Sequence, residues 1–334
     1  MPVSHLLAVC MVLAAGAGAN DAPAGLFDRA ERPVLDMSSQ AEPWGDTSRR
    51  GVPFSKDPSV VRFKDAYWLY YSMPPCKDGR ENNGWAIGVA QSDDLADWKK
   101  MGGVLPAQPY EAKGLAAPCA LVMDEKVHLF YQTYGNRKRD AICHATSEDG
   151  LDFTRNQDNP IFRPEGEWTV GRAIDAEAFV DGERLLLYFA TRDPSMKVQM
   201  VGVAATPLDS DYGPETWELL HDGPILKPEL KWEKKCIEAP ALLKRDGLYY
   251  MFYAGAYNNE PQQVGCAVST DAVAWTRLSD KPFLPNGEPS AWNESESGHP
   301  GVFVDTDGQT YLFFQGNDDD GRSWRLSHVK VAWE

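Results

Sequence analysis

The chain has 334 residues, of which 43% are hydrophobic and 11% aromatic, enough to bury a large core. A formal net charge of −16 excludes a nucleic-acid backbone or an anionic membrane surface as its partner. Cysteines Cys76, Cys119, Cys143, Cys236 and Cys266 are spread singly with no CxxC spacing, so buried free thiols are expected rather than a zinc site or a disulfide framework.

In chain order, residues 1–19 read as a secretory signal: an apolar run from Leu6 to Ala15 precedes the small-residue cleavage site Ala17-Gly18-Ala19, although no Lys or Arg precedes the run. That run is too short for a comfortable membrane span, and nothing later is long enough for insertion. A secreted or periplasmic protein is expected, with residues 20–334 as a single domain and as a monomer. Residues 25–35, GLFDRAERPVL, resemble the ends of later repeats but lack a hairpin before them. Residues 36–56, rich in Pro, Ser and Gly, form a connection.

From there one pattern recurs five times. A short apolar run, a turn carrying Asp or Gly, and a second run rich in aromatics form a β-hairpin, as in CIEAPALLKRDGLYYMFYA (236–254). Its opening residues are Asp57, Ala116, Asp175, Glu238 and His299, separated by 59, 59, 63 and 61 residues. A third strand follows, such as WAIGVA (85–90), ending in three copies in a Ser-x-Asp-x-x-x-aromatic turn: Ser92-Asp94-Trp98, Ser147-Asp149-Phe153 and Ser269-Asp271-Trp275. A segment led by Pro or Gly closes the unit: GVL (103–105), PIF (160–162), PIL (224–226) and PFL (282–284).

Four antiparallel strands per repeat predict an all-β, five-bladed β-propeller. The fifth copy stops after its third strand, so residues 25–35 are expected to supply the fourth and close the ring without leaving a sheet edge. In a propeller the first strand of each blade lines the central channel, so the five opening residues converge at one mouth. Three carboxylates there, Asp57, Asp175 and Glu238, would be partly desolvated and close together, which spreads their pKa values and suits acid–base work.

Those same residues carry a resemblance. Lys56-Asp57-Pro58-Ser59-Val60-Val61, Ile174-Asp175-Ala176-Glu177-Ala178-Phe179 and Ile237-Glu238-Ala239-Pro240 resemble the first-, third- and fourth-blade motifs of family 43 glycoside hydrolases, within the wider family 43/32/68 propeller group that includes the invertases. The resemblance spans residues 25–334 and implies a polysaccharide- or oligosaccharide-cleaving glycosidase. It assigns Asp57 as general base, Asp175 as the residue that tunes the acid, and Glu238 as general acid. It also likens His299 to a family histidine beside the channel axis that binds an ion or water; no other cofactor is implied. Glu177 departs from the usual small or apolar residue. Strand alternation would place it on the same face as Asp175, which leaves open which of the two tunes the acid.

Inverting hydrolysis needs its two carboxyls about 6.5–9.5 Å apart, and residues on non-adjacent blades one and four suit a gap of that order. Loops at the same mouth offer Trp85, Trp168, Tyr257 and Trp292 as sugar platforms and Arg80, Arg137, Arg139, Arg172 and Arg192 as anchors. Trp85, Arg172, Glu177 and His299 are the expected substrate contacts. Two other classes fit the same acids: a propeller phosphorylase or glycosyltransferase, and a non-catalytic glycan-binding propeller. Asn293-Glu294-Ser295 is a formal glycosylation sequon.

Overall fold

A computed structural model describes residue 26 and residues 30–78 and 84–334. The proposed signal segment and Arg80 lie outside the described residues.

The apolar hairpins pair as expected, and the chain forms five four-stranded antiparallel sheets. Three hairpin turns have both central residues at positive φ: Lys64-Asp65 (49° and 64°), Asp124-Glu125 (49° and 59°) and Asp246-Gly247 (49° and 79°). This is the type I′ geometry whose twist matches the flanking strands. Inner strands Lys56–Phe63, Leu115–Met123, Ile174–Asp181, Ile237–Arg245 and Glu296–Val304 each pack beside the next, so they encircle a central axis.

The ring closes through the N-terminal segment. Pro33–Asp36 pairs antiparallel with the last strand, from Trp333 to Lys330, and completes blade five. The paired part is shorter than the 25–35 read from sequence; ahead of it, Leu26 is buried in the core beside Val329 and Val331.

The core is divided rather than central. Five buried apolar clusters each join two adjacent blades. The Ser-x-Asp turn has a clear place in this arrangement. Asp94 Oδ1 accepts from the Ser92 hydroxyl and from the backbone N–H groups of Ala96 and Asp97, all at 2.9 Å. That geometry delivers the following aromatic onto the preceding blade: Trp98 meets Phe313, Phe153 meets Tyr70 and Trp275 meets Tyr188, with ring centroids 5.8–6.5 Å apart.

A second repeated device was not legible as a motif. Glu233 is fully buried and accepts from Tyr253 OH (2.8 Å) and Arg277 Nε (2.7 Å). Glu111 does the same with Tyr131 (2.6 Å) and Arg155 (3.0 Å), and Asp46 with Tyr71 (3.0 Å) and Lys100 (2.6 Å). Each clasp ties the loop entering a blade to that blade's second and fourth strands. Gly88 and Gly265 let the tyrosines lie flat across the third strand, since a Cβ there would sit 2.2 and 2.3 Å from the rings of Tyr71 and Tyr253.

The outer strands correct the sequence reading. Strand four is Lys99–Val104 in blade one but only Thr154–Arg155, Glu218–Leu219 and Thr276–Arg277 in blades two to four. PIF, PIL and PFL are single bridges back to the third strand, at Phe162, Leu226 and Leu284. Proline has no N–H to donate, so the ladder breaks there and rejoins at the next residue. Ile161, Ile225 and Phe283 each donate to a third-strand carbonyl at 2.7–2.9 Å. Asn293 of the formal sequon is buried and donates to Ser297 Oγ at 2.8 Å. Cys119, Cys143, Cys236 and Cys266 are buried free thiols.

Candidate active site

At the start of every inner strand the ladder skips two residues: 57–58, 117–118, 175–176, 239–240 and 299–300. The first residue of each pair lies in the left-handed region, with φ of 55° for Asp57, 46° for Ala117, 50° for Asp175, 50° for Ala239 and 44° for His299. A bulge of this kind bends the strand and re-aims a side chain. Four of the freed N–H groups are claimed by a side chain of the preceding blade. Asp57 N donates to Gln315 Oε1 (3.0 Å), Ala117 N to Ser72 Oγ (2.8 Å), Asp175 N to Gln132 Oε1 (2.6 Å) and His299 N to Gln262 Oε1 (3.1 Å). Sequence reasoning missed these acceptors. Their signal was a single polar residue ending an apolar strand, as in Tyr70-Tyr71-Ser72, Phe130-Tyr131-Gln132 and Phe313-Phe314-Gln315.

The bulges change the register inferred from sequence. Asp57, Asp175 and His299 do occupy one equivalent position, but in blade four that position is Ala239 and in blade two it is Ala117. Glu238 stands one residue earlier, still paired with Ala254. The acids nonetheless meet: Asp57, Asp175, Glu238 and His299 line one cleft of about 170 Å³ with Lys56, Trp85, Gln132, Tyr134, Arg172, Arg192, Gln199, Tyr257 and Asn258. The three carboxylates are only 8%, 7% and 9% exposed.

Glu238 is held by two amides. Gln262 Nε2 donates to Glu238 Oε1 (2.6 Å), and Gln199 Nε2 donates to Oε2. Neither amide can be turned around. Gln262 Oε1 is occupied by His299 N–H, and Gln199 Oε1 accepts from Arg192 Nε (2.8 Å) and Arg172 Nη1 (3.3 Å). Both glutamines therefore present N–H to the carboxylate.

Across the cleft, His299 Nδ1 lies 3.1 Å from Asp57 Oδ1. Burial pushes the imidazole below its ordinary value, only partly offset by the charges of Asp57 and Glu238. With Nδ1 donating to the facing Asp57 oxygen, the neutral ring leaves Nε2 as an acceptor. One ring nitrogen does not make a cation cage, and among the described residues no group of three or more His, Cys, Asp or Glu is placed to hold a metal ion. The donor set at His299 suits a water or a hydroxyl. Asp175 is pushed well above the usual carboxylate range, first by burial and then by the charges of Glu238 and Asp57.

The remaining candidates divide. Trp85, Arg172, Arg192, Tyr257 and His299 line the cleft. Trp168 packs against Phe189 and Trp292 against Phe314, as parts of the inter-blade core. Arg137 and Arg139 are exposed and do not line the cleft. Glu177 is a correction. The Asp175 bulge breaks the strict alternation that would have put both acids on one face. Glu177 instead lines the axial channel on the far side, where it accepts from Leu242 N–H (2.9 Å) and the Cys119 thiol (3.3 Å).

Known proteins bear on this arrangement. A profile of glycosyl hydrolases family 43 matches residues 52–332. A stretch of 100 residues, 30% of this chain, is 34% identical to xylosidase/arabinosidase 43A of Humicola insolens. Another of 158 residues, 44% of this chain, is 25% identical to a 1,2-beta-oligomannan phosphorylase of Thermoanaerobacter sp. (strain X514). These stretches span 28% and 51% of the two relatives. The crystal structure of a thermostable family-43 glycoside hydrolase shares the fold, with a TM-score of 0.66 at 22% identity over 90% of this chain and 92% of that one. One family profile accounts for all five blades and for the strands that carry the three buried acids, and the chain belongs to glycosyl hydrolases family 43.

Proposed function

We propose that the protein is an exported, inverting glycoside hydrolase, with Asp57 as general base, Glu238 as general acid and Asp175 as the residue that tunes the acid. The observation that carries this is the convergence of three carboxylates, each less than a tenth exposed, in one cleft, with Asp175 pushed well above the usual carboxylate range. Water attacks the anomeric carbon while the bond to the leaving oxygen breaks. One proton passes from water to Asp57 and another from Glu238 to the departing oxygen, and exchange with solvent resets both groups. His299 orients Asp57 through its Nδ1–H, and Gln199 and Gln262 fix the Glu238 carboxyl. Asp175, a carboxyl of the same cleft pushed well above the usual range, sets the field in which Glu238 gives up its proton. Two carboxyls suffice for the proton transfers, so no cofactor enters.

The xylosidase/arabinosidase relative makes aryl arabinosides and xylosides the first substrates to screen. The test compares leaving groups. Glu238→Gln should slow natural glycosides by about 10²–10⁴-fold yet spare aryl glycosides with acidic phenols, whereas Asp57→Asn should slow both alike. Proton NMR in early turnover should show the inverted anomer. Net retention, or a sugar trapped on Asp57, would replace this mechanism with a double displacement. Export is supported by the apolar run ending in Ala17-Gly18-Ala19; mass spectrometry of the exported protein should find Asn20 at its N-terminus. The oligomannan phosphorylase relative supports one other reading, phosphorolysis, in which turnover would require inorganic phosphate.

A further inference from the structure

Three cations gather at this cleft in a protein whose net charge is −16. Arg192 and Arg172 converge on a single neutral atom, Gln199 Oε1, at 2.8 and 3.3 Å. Two guanidinium groups drawn to one uncharged oxygen repel each other unless an anion lies between them. Arg172 has a partial counter-charge in Asp140, at 3.4 Å. Among the described residues Arg192 has none within 4.0 Å, and its two terminal nitrogens have no hydrogen-bond partner. Its guanidinium instead lies 5.1 Å from the centroid of the Tyr257 ring. The next residue in that loop, Asn258, accepts from Lys56 Nζ at 2.6 Å, and among the described residues Lys56 also lacks a carboxylate within 4.0 Å. Arg192 and Lys56 thus bracket the Tyr257-Asn258 turn, while the acids of the same cleft are otherwise engaged. Glu238 is held by its two amides and Asp57 by His299, and burial pushes Asp175 well above the usual carboxylate range against the opposing charges of Arg172 and Lys56.

We propose that Arg192, Arg172 and Lys56 form an oxyanion site beside the catalytic acids, filled by a carboxylate or sulfate borne by the saccharide or by free inorganic phosphate. A neutral sugar needs hydrogen-bond partners and a stacking ring but no unneutralised guanidinium, whereas Arg192 presents paired N–H donors that match an oxyanion. The proposal rests on the reading of the cleft as a glycosidase site and names the chemistry of what that site receives.

Two measurements test it. In the first, sulfate, phosphate and glucuronate are titrated at constant ionic strength into the full chain carrying Glu238→Gln, whose turnover of natural glycosides is slowed by about 10²–10⁴-fold. Binding should weaken by about 10–100-fold when Arg192→Gln is added, with part retained in Arg192→Lys, and thermal melting reports whether each variant is folded. In the second, uronate-containing oligosaccharides are compared with their carboxyl-reduced counterparts, which keep the linkages and lose the charge. A KM preference for the acidic form that shrinks about tenfold or more in Arg192→Gln supports the site and places the anion on the sugar. Turnover of neutral oligosaccharides only in the presence of phosphate supports the site and places phosphate in it. Equal KM for acidic and reduced substrates, no phosphate requirement and anion binding unaffected by Arg192→Gln would overturn the proposal. Full activity of both Asp57→Asn and Glu238→Gln would instead sink the glycosidase reading, and the anion titration would still decide the oxyanion site.

Discussion

Glu177→Gln separates the chemistry of the cleft from the electrostatics of the channel behind it. Burial raises the Glu177 carboxyl from an ordinary value of 4.5 to about 7, against the opposing hydrogen bonds from Leu242 N–H and the Cys119 thiol. The side chain is half-buried and lines the axial channel, so water there screens part of the effect. The native chain therefore binds a proton that the unfolded chain releases. Its stabilising effect is complete below pH 4.5 and is lost as pH rises through 7. At about 1.4 kcal/mol per pKa unit, the loss reaches up to about 3 kcal/mol above neutrality. Glutamine keeps an acceptor for Leu242 and never ionises, so the variant avoids that loss. With an unfolding entropy of roughly 2 cal/mol/K per residue over some 300 residues, Glu177→Gln should melt higher than the parent at pH 8, by up to about 5 °C. Below pH 4.5 the two should coincide. Calorimetric melts of both proteins from pH 4 to 8 measure this directly, and activity assays on the same samples should show turnover kept within a few-fold. A stability difference independent of pH would refute the burial argument. A collapse in turnover with a shifted acid limb would return Glu177 to the catalytic group in place of Asp175.

Three other outcomes follow from the geometry. Asp175→Asn should lower turnover by on the order of 10²-fold or more and shift the acid limb of the pH profile while substrate still binds, and it should melt higher than the parent at neutral pH because the unfolded chain no longer gains free energy by ionising a carboxyl whose ionisation the native cleft disfavours. Arg277→Ala leaves the fully buried Glu233 without its cation and should cost about 3–5 kcal/mol in denaturant unfolding, as should Arg155→Ala at Glu111; a loss below 1 kcal/mol in both would show the clasps to be incidental. A chain beginning at Met37 lacks the closing strand Pro33–Asp36 and the buried Leu26, so it should melt several degrees lower and self-associate through the opened edge of blade five, as read by calorimetry and sedimentation.

The blade count, the hairpins and the closure by an N-terminal strand were legible in the sequence because each is a local pattern repeated along the chain. A period-two apolar run, a turn able to take positive φ and a Ser-x-Asp turn each act within about ten residues, and repetition supplied the rest. Asp57, Asp175 and Glu238 were legible for the same reason: each stands at the head of such a run. What those residues face was decided elsewhere. The Asp57 bulge is held by Gln315, 258 positions away, and the Asp175 bulge by Gln132, 43 positions away. In four of the five bulges the freed N–H of the left-handed residue is claimed by a side chain of the neighbouring blade. Tertiary packing therefore moved blade four out of register by one residue, turned Glu177 away from the cleft, and brought Gln199, Gln262 and Arg192 onto the acid that the sequence had shown alone.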